Sequence, residues 1–270
     1  MKLSADALVG NVRERSDEHA AWTIRAQVSE PWLAEEPWDA SDHGRCVALS
    51  SLFRGGLCEQ LASGPARHIA AGQALYHMGG EARSVFLIRR GLVKTSVLSS
   101  RGHELTLRLF VAGDIMGEVC LCAGERREQA VALEASDVVE IPIERLVAKL
   151  LQNPREALDF SLMLCERIAD AEERLRSLAT DPVLERLVRT LVTLTVDLGE
   201  PIAEGTQISH HFSQAELARI VGARREVISG LMNRLREQGL IRYTRGGLIV
   251  VEYDRLIELR NLLGDGFAEG

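Results

Sequence analysis

The sequence predicts an α+β fold in which an antiparallel β-rich region comes first, a long helix follows, and a helical region with a short hairpin ends the chain. Two hydrophobic periods support this prediction. Residues 104–110 alternate between apolar and polar side chains, which is the period of a half-buried strand. After Pro142 the apolar residues recur every three or four positions, which is the period of an amphipathic helix.

Length and composition narrow the class of protein. The chain has 270 residues, 46% of them hydrophobic and 26% charged, which is an ordinary globular composition. It contains no run of 18 apolar residues that could form a transmembrane helix, and its start lacks the apolar stretch of a signal peptide. Five widely spaced cysteines without paired CxxC motifs do not make a disulfide framework or a zinc ribbon. We therefore expect a cytoplasmic protein with no membrane partner.

The net charge of −7 is unevenly distributed along the chain. Residues 1–45 carry nine acidic and five basic side chains, whereas residues 208–245 carry seven arginines against three glutamates. A chain that is acidic overall can therefore still present a basic segment to phosphate groups. Residues 1–45 also hold all three tryptophans and two prolines that interrupt helices, so we expect an N-terminal extension that is either loosely docked or packed on the main body.

Residues 46–152 are expected to form the β-rich domain. Glycines recur every eleven residues at positions 80, 91, 102, 113 and 124, between apolar runs such as SVFLI and LVKTSVL. Turn residues at this spacing are typical of a compact antiparallel barrel or sandwich. In the strand over residues 104–110, we expect one face to carry Leu105, Leu107 and Leu109 and the other to carry the polar side chains.

Residues 153–180 are predicted to form one long helix that pairs with a second copy of the chain. Asn153 followed by Pro154 favours a helix start, because asparagine caps the first turn and proline is tolerated inside it. Small and apolar residues then alternate at four- and three-residue steps, as in a coiled coil. We expect the dimer interface to contain Leu164, Ile168, Ala171, Leu175 and Leu178. The alternative is a helix that lies on its own barrel.

Residues 181–270 are predicted to form a DNA-binding domain whose most specific part is the segment 212–241. Ser213 and Glu216 have the spacing of a capping box, and Gly222 permits a tight turn between two short helices. We expect the second helix to be buried against the first by Val227, Ile228, Leu231 and Leu235. The segment IRYTRGGLIVV then predicts a two-stranded wing around residues 245–247.

The second helix begins with the residues that could meet base edges, which are Arg224, Arg225, Glu226 and Ser229. Arginine can bond to the O6 and N7 atoms of guanine, and glutamate can accept a hydrogen bond from cytosine N4. The capping box, the glycine turn, the two arginines and the wing together indicate a winged helix-turn-helix.

Three segments carry a resemblance to a known family: GDIMGEV at 113–119, LATD at 178–181 and VGARREVISGLMNRLREQGLI at 221–241. On these segments the chain resembles the CRP/FNR family of bacterial transcription regulators over residues 50–257. The resemblance implies a cyclic-nucleotide-binding-like β-roll, a dimerisation helix and a winged helix-turn-helix that enters the major groove. It also implies a homodimer on a near-palindromic double-stranded DNA operator and contact with RNA polymerase.

The same resemblance suggests roles for single residues. Ser213, Gln214 and Arg224 match positions that hold the phosphate backbone. Positions that match Arg225, Glu226 and Gly230 contact bases in the family, and the glycine stands where an arginine is usual.

The resemblance leaves the effector and any cofactor open. Gly117 and Glu118 match the residues that hold phosphate and ribose in cyclic-AMP-binding members, while the arginine–serine positions align with Glu128 and Gln129. A one-residue slip in this loop would instead bring Arg126 or Arg127 to the phosphate. A glutamate facing a phosphate would be repulsive, which argues against classical cyclic-AMP control. We expect a small-molecule effector to contact Gly117, Glu118 and Gln129.

The alternative signal is redox- or metal-based. Cys120 and Cys122 follow Glu118 directly, and thiolates serve as redox switches and as ligands for soft metals. Free cysteine is also a common small core residue. For the iron–sulfur and haem routes of the family the matches are poorer, since Val139 and Val119 stand at the expected cysteine and histidine positions.

The leading interpretation is a signal-responsive transcription regulator that is not an enzyme. The sequence has no glycine-rich phosphate loop, HExxH motif or nucleophile elbow. The alternative is a cyclic-nucleotide-binding-like module whose helical C-terminal domain is structural or protein-interacting.

Overall fold

The computed structural model describes residues 61, 63–119, 121 and 124–265, and it confirms the α+β fold. The N-terminal part is a β-roll whose strands are β1 (Ala66–Ile69), β2 (Ala74–Tyr76), β3 (Ser84–Arg90), β4 (Val93–Leu98), β5 (Glu104–Phe110), β6 (Ile115–Met116), β7 (Gln129–Ala132) and β8 (Ser136–Pro142). The strands form two four-stranded antiparallel sheets, in the orders β1-β8-β3-β6 and β2-β7-β4-β5. Two helices follow, α1 (Ile143–Gln152) and α2 (Pro154–Thr180).

The C-terminal part is a winged helix-turn-helix. It contains α3 (Val183–Leu198), β9 (Gly199–Ile202), β10 (Gly205–Ile208), α4 (Gln214–Val221), α5 (Arg225–Glu237), β11 (Ile241–Tyr243), β12 (Ile249–Val251) and α6 (Tyr253–Asp265). Its four strands form one antiparallel sheet in the order β11-β12-β10-β9. None of the helices in the described part of the chain is long and apolar enough to cross a membrane.

Strand β3 shows how the β-roll is covered on both sides. Phe86 and Ile88 point into the core between the two sheets, while Val85 and Leu87 point to a second core formed with α1 and α2. Because successive side chains of a strand face opposite sides, a run of four buried apolar residues is what a strand buried on both faces requires.

Strand β5 packs against a core on each of its faces, whereas the sequence predicted burial of its leucine face alone. Phe110 packs into the core of the roll, whereas Leu109 packs against the core of the C-terminal domain. Thr106 is buried and Leu107 is 36% exposed. The alternation predicted a strand correctly, but the C-terminal domain covers the face that a solvated sheet would leave open, so the leucine side is not the core side.

The long helix begins as expected. The side chain of Asn153 accepts hydrogen bonds from the amides of Arg155 and Glu156, and Pro154 occupies the first turn. Ile168 and Leu175, in the middle of the helix, are 59% and 69% exposed.

The five residues predicted at the dimer interface divide into two groups. Ile168, Ala171 and Leu175 are exposed. Leu164 is half-buried against the core beside α1, and Leu178 is half-buried with its methyl group near the turn at Gly222. The centre of the exposed apolar stripe therefore runs through Ile168 and Leu175.

Ion pairs fix the junction between α2 and α3. The Asp181 carboxylate accepts from Arg176 at 3.1 Å and from Arg189 at 2.9 Å, and Arg189 also pairs with Glu185 at 3.1 Å. Burial alone would raise the pKa of Asp181, but hydrogen bonds from Ser177 and Thr180 and the two arginine charges outweigh it and hold this pKa below its usual value. The C-terminal domain is therefore held to the long helix through a carboxylate that is ionised at neutral pH.

The two domains also share an apolar contact. Leu92 of the β-roll is 1% exposed and belongs to the core of the C-terminal domain, and Val111 and Leu133 pack beside it. This contact is continuous with the leucine face of β5, so the β-roll and the C-terminal domain are packed together through hydrophobic burial.

Candidate nucleic-acid interface and sensor segment

The helix-turn-helix is built from local signals that the sequence analysis identified. The Ser213 hydroxyl accepts from the Glu216 amide at 3.2 Å, and the Glu216 carboxylate accepts from the Ser213 amide at 2.8 Å, which confirms the capping box. The helix α4 ends at Gly222, whose φ of 71° lies in the left-handed region. A Cβ atom at this position would also lie 2.8 Å from a terminal methyl group of Leu178, which would have to shift; the left-handed φ is the reason that the turn favours glycine.

Arginines from the rest of the chain hold the carbonyl end of α4. Arg174 of the long helix donates to the Ile220 carbonyl at 2.8 Å, and Arg186 of α3 donates to the carbonyls of Val221 and Gly222 at 3.2 and 3.3 Å. These are the carbonyls that a helix leaves without intrahelical partners, and cations are favourable there. The turn is thus tied to both neighbouring helices.

Helix α5 is buried along one side and exposed at its start. Ile228, Met232 and Leu235 are buried against the domain core. Arg224, Arg225 and Glu226, at the N-terminal end of the helix, are exposed. Three of the four residues predicted to meet base edges are therefore exposed, and Ser229 is half-buried.

Two of the predicted DNA-contacting residues lie against each other. The Ser229 hydroxyl of α5 donates to the side-chain oxygen of Gln214, which begins α4. This bond joins α4 to α5 and holds both side chains in place.

Val227 does not lie where its residue type predicted. It was expected to pack between the two helices, but it is 43% exposed and lies on the outer side of α5. The buried stripe of a short helix is narrow, and Ile228, Met232 and Leu235 already fill it. Val227 was expected in the core only because it is apolar, and its position on the helix places it outside.

The predicted wing is present as β11 and β12. Ile241 pairs with Val251 and Tyr243 with Ile249, and the Thr244 amide donates to the Leu248 carbonyl to close the turn. Arg245 and Gly246 at its tip are exposed.

Three charged side chains link α4 to the β-roll: Lys94 and Glu104, which are mostly buried, and Arg219, which is partly exposed. Lys94 donates to the Glu104 carboxylate at 2.6 Å, and Arg219 of α4 reaches the same carboxylate at 3.0 Å. Burial on its own would raise the pKa of Glu104, but bonds from Lys94 and Ser96 and the Arg219 charge lower it below its usual value. One carboxylate thus connects the sensor sheet to the first helix of the DNA-binding motif.

The sensor segment around Gly117 centres on an arginine that the direct alignment did not place there. Arg126 is 5% exposed and donates to the carbonyls of Gly117 at 3.2 Å and Ser84 at 2.6 Å. Its guanidinium stacks 4.2 Å from the centre of the Tyr76 ring and 5.2 Å from that of Phe86. The signal in the sequence was the possible slip in the loop, although a one-residue slip reaches only Arg127 and Arg126 lies two positions before Glu128.

Glu118 is the second charged group of this segment, and it pairs with the long helix. Its carboxylate lies 2.6 Å from Arg167 of α2, with the two side chains only 14% and 12% exposed. Arg167 also donates to the Ile115 carbonyl. Sequence reasoning missed Arg167, because an arginine on an amphipathic helix is usually solvated.

We expect Glu118→Gln to lower the free energy of unfolding by about 1–3 kcal/mol, because it leaves the Arg167 charge with little water and no counter-charge. Urea titration at neutral pH measures this. The matched control is Asp170→Asn, which breaks the more exposed 2.8 Å pair between Arg108 and the same helix. The control should cost no more than about 1 kcal/mol. Equal losses would contradict a special role for the buried pair.

Gln129 and the cysteines are the remaining residues predicted to respond to a signal. Gln129 begins β7, and its amide donates to the Ser96 hydroxyl at 3.1 Å, on the sheet rather than beside Gly117. Cys120 and Cys122 lie outside the described residues. Within residues 63–119 and 124–265, no three His, Cys, Asp or Glu side chains converge as metal ligands, and Cys165 is exposed as a free thiol.

Comparisons with known proteins agree with this architecture. A family model described as a cyclic nucleotide-binding domain matches residues 66–153, and one described as a Crp-like helix-turn-helix domain matches residues 185–259. The chain is 30% identical over 173 residues to the global nitrogen regulator of Synechococcus elongatus, covering 63% of this chain and 78% of that protein. It is 29% identical over 189 residues to the cyclic AMP receptor protein of Thermus thermophilus, covering 70% and 84%.

A solved structure extends the likeness to three dimensions. A CRP/FNR-family transcriptional regulator from Thermus thermophilus matches with a TM-score of 0.61 at 25% identity, covering 73% of this chain and 98% of that one. A β-roll, a long helix and a winged domain with an exposed recognition helix define a DNA-binding regulator with an attached sensor. The chain belongs to the CRP/FNR family of transcription regulators, as its motifs predicted.

The matched domain description implies a cyclic nucleotide, but the described side chains do not fit one. The space lined by Tyr76, Gly117, Val119 and residues 125–128 is about 10 Å³, whereas small-molecule sites usually enclose roughly 300–1,000 Å³. Glu118 is already paired with Arg167. Glu128 accepts from the Tyr76 hydroxyl at 3.1 Å, and burial together with the Glu118 charge raises the pKa of its carboxyl. A cyclic phosphate would meet two carboxylates and almost no room.

Proposed function

We propose that this regulator binds a near-palindromic operator as a homodimer and changes its DNA affinity in response to a signal at the β-roll. The observation that carries the proposal is the exposed run Arg224–Glu226 at the start of a helix whose other face is buried. Helices presented in this way enter the major groove with their first residues nearest the bases.

The assignment of contacts follows from the chemistry of the exposed groups. Arg225 and Glu226 suit guanine and cytosine edges, and Arg224 at the helix entrance suits a phosphate. The Ser213 hydroxyl accepts the Glu216 amide, so its own hydrogen is left to donate to a phosphate oxygen. Gln214, bonded to Ser229, would support the same backbone contact.

The homodimer is supported by the exposed stripe of α2. Ile168 and Leu175 lie one heptad apart and are both more than half exposed on one chain. A second copy related by a two-fold axis would cover them and would present two recognition helices to two inverted half-sites. Contact with RNA polymerase is part of the proposal on family grounds alone.

The signal is proposed to act on the segment 117–129. A small molecule near Gly117 and Glu118 would have to displace Arg126 or break the Glu118–Arg167 pair, which would free the long helix at that point. A redox or metal signal would act through Cys120 and Cys122 in the same segment. Mass and absorbance analysis of protein purified without air from its native host distinguishes a bound small molecule from a metal or cluster.

Selection of bound duplexes from a random-sequence pool tests the proposal. We expect two inverted half-sites whose centres are about 10 base pairs apart, or a multiple of that spacing. We also expect affinity to fall steeply with salt, because each subunit releases counterions from several phosphates. A pool with no enriched sequence after selection would overturn the proposal.

A further inference from the structure

Gly230 occupies an unusual place in the recognition helix. It lies in the middle of α5 and is exposed. It is on roughly the opposite side of the helix from the buried residues Ile228, Met232 and Leu235. A glycine inside a helix destabilises it relative to alanine. Apart from its chain neighbours and the backbone of its own helix, a Cβ atom at this position would meet nothing within 4 Å among the described residues, so packing against the rest of the chain does not explain the glycine.

Val227 lies beside it. The two residues are three positions apart, which places them next to each other on the helix surface, one turn apart. Val227 is 43% exposed although it is apolar. Together Val227 and Gly230 form an apolar notch within a surface whose other exposed residues include Arg225, Glu226, Asn233 and Arg234.

We infer that the apolar notch accepts the 5-methyl group of a thymine, so that Val227 and Gly230 determine specificity for an A·T pair in each half-site. This inference rests on the proposed binding of α5 in the major groove. Among the groups that base pairs present there, the thymine methyl is the apolar one, and apolar side chains are its usual partners. The missing side chain at position 230 lets the helix backbone approach that methyl closely.

The charged neighbours make the notch selective. Glu226 and Arg234 lie one helical turn before and after Gly230 on the exposed face. Polar contacts from these two side chains to the DNA, on both sides of the notch, would fix the position of the helix along the groove. A base without a methyl group at that position would leave an unfilled gap between the helix and the groove floor.

The test uses the operator obtained by selection. Each dT of the half-site is replaced in turn by dU, which removes only the 5-methyl group, and binding is measured by fluorescence anisotropy. We expect one position per half-site at which affinity falls about four-fold, corresponding to about 0.8 kcal/mol for one methyl group. At that position Gly230→Ala should bind the dT operator more weakly and should no longer distinguish dT from dU.

Two controls separate specificity from folding. Gly230→Ala should raise the melting temperature by roughly 1–4 °C, because alanine favours the helix, so weaker binding cannot be ascribed to unfolding. Asn233→Ala, on the same face one turn further along, should keep the discrimination between dT and dU. If no dU substitution weakens wild-type binding, or if Gly230→Ala retains the discrimination, the inference is wrong while the regulator remains. If the wild type selects no operator, the proposed function itself fails.

Discussion

Replacing both Ile168 and Leu175 by glutamate is expected to make the regulator monomeric and to lower its operator affinity by about a hundredfold or more. The two side chains are 59% and 69% exposed on one chain, and a dimer would bury them. Burying a side chain of this size contributes about 1.5–3 kcal/mol, and the variant also brings four carboxylates together at the seam. Loss of simultaneous binding to two half-sites removes about 10²–10⁴ in avidity.

Light scattering at micromolar concentration measures the mass, and anisotropy on the selected operator measures the affinity. Leu262→Glu is the matched control, because Leu262 is also a highly exposed leucine, at 74%, but lies on α6. It should leave the mass and the affinity unchanged. A double variant that stays dimeric, or a wild type that is monomeric, would refute the assignment of the stripe.

The second large effect is expected for Arg225→Ala. Loss of a bidentate contact to guanine costs about 1–3 kcal/mol per half-site, which is about five- to 160-fold in affinity for each half-site. The loss should be concentrated on the selected operator, with one base position relaxed to accept other bases. Competition binding against operators mutated at each position measures the relaxation.

The neighbouring Arg224→Ala provides the comparison for this experiment. An arginine on a phosphate carries no sequence information, so this variant should weaken binding to operator and random duplexes alike. Because each subunit of the homodimer loses one phosphate contact, the slope of log affinity against log salt concentration should become shallower by about two. Both variants change an exposed arginine at the same helix entrance. If Arg225→Ala weakens both kinds of DNA equally, its role in base recognition is disproved.

The sequence was most informative where the structure is local. The capping box at Ser213, the left-handed turn at Gly222 and the cap at Asn153 each depend on residues within one helical turn. Such features follow from hydrogen bonds that a short segment makes with itself, so the spacing of residue types is enough to predict them.

The sequence was less informative where burial depends on a distant segment. The leucine face of β5 was assigned from alternation, but the docked C-terminal domain decides what covers it. Val227 was assigned to the core because it is apolar, but other residues already occupy the side of α5 that faces the domain core. The Arg167–Glu118 pair joins residues 49 positions apart and left no local pattern.

The position of Leu92 restricts how a signal can reach the DNA. This residue of the β-roll completes the hydrophobic interior of the neighbouring domain, with Val111 and Leu133 beside it. If the DNA-binding domain rotated away from the β-roll as a rigid body, that hydrophobic interior would be exposed to water at a large cost in free energy. Activation is therefore expected to proceed as a shear, in which tightly packed surfaces slide by a small distance while staying in contact.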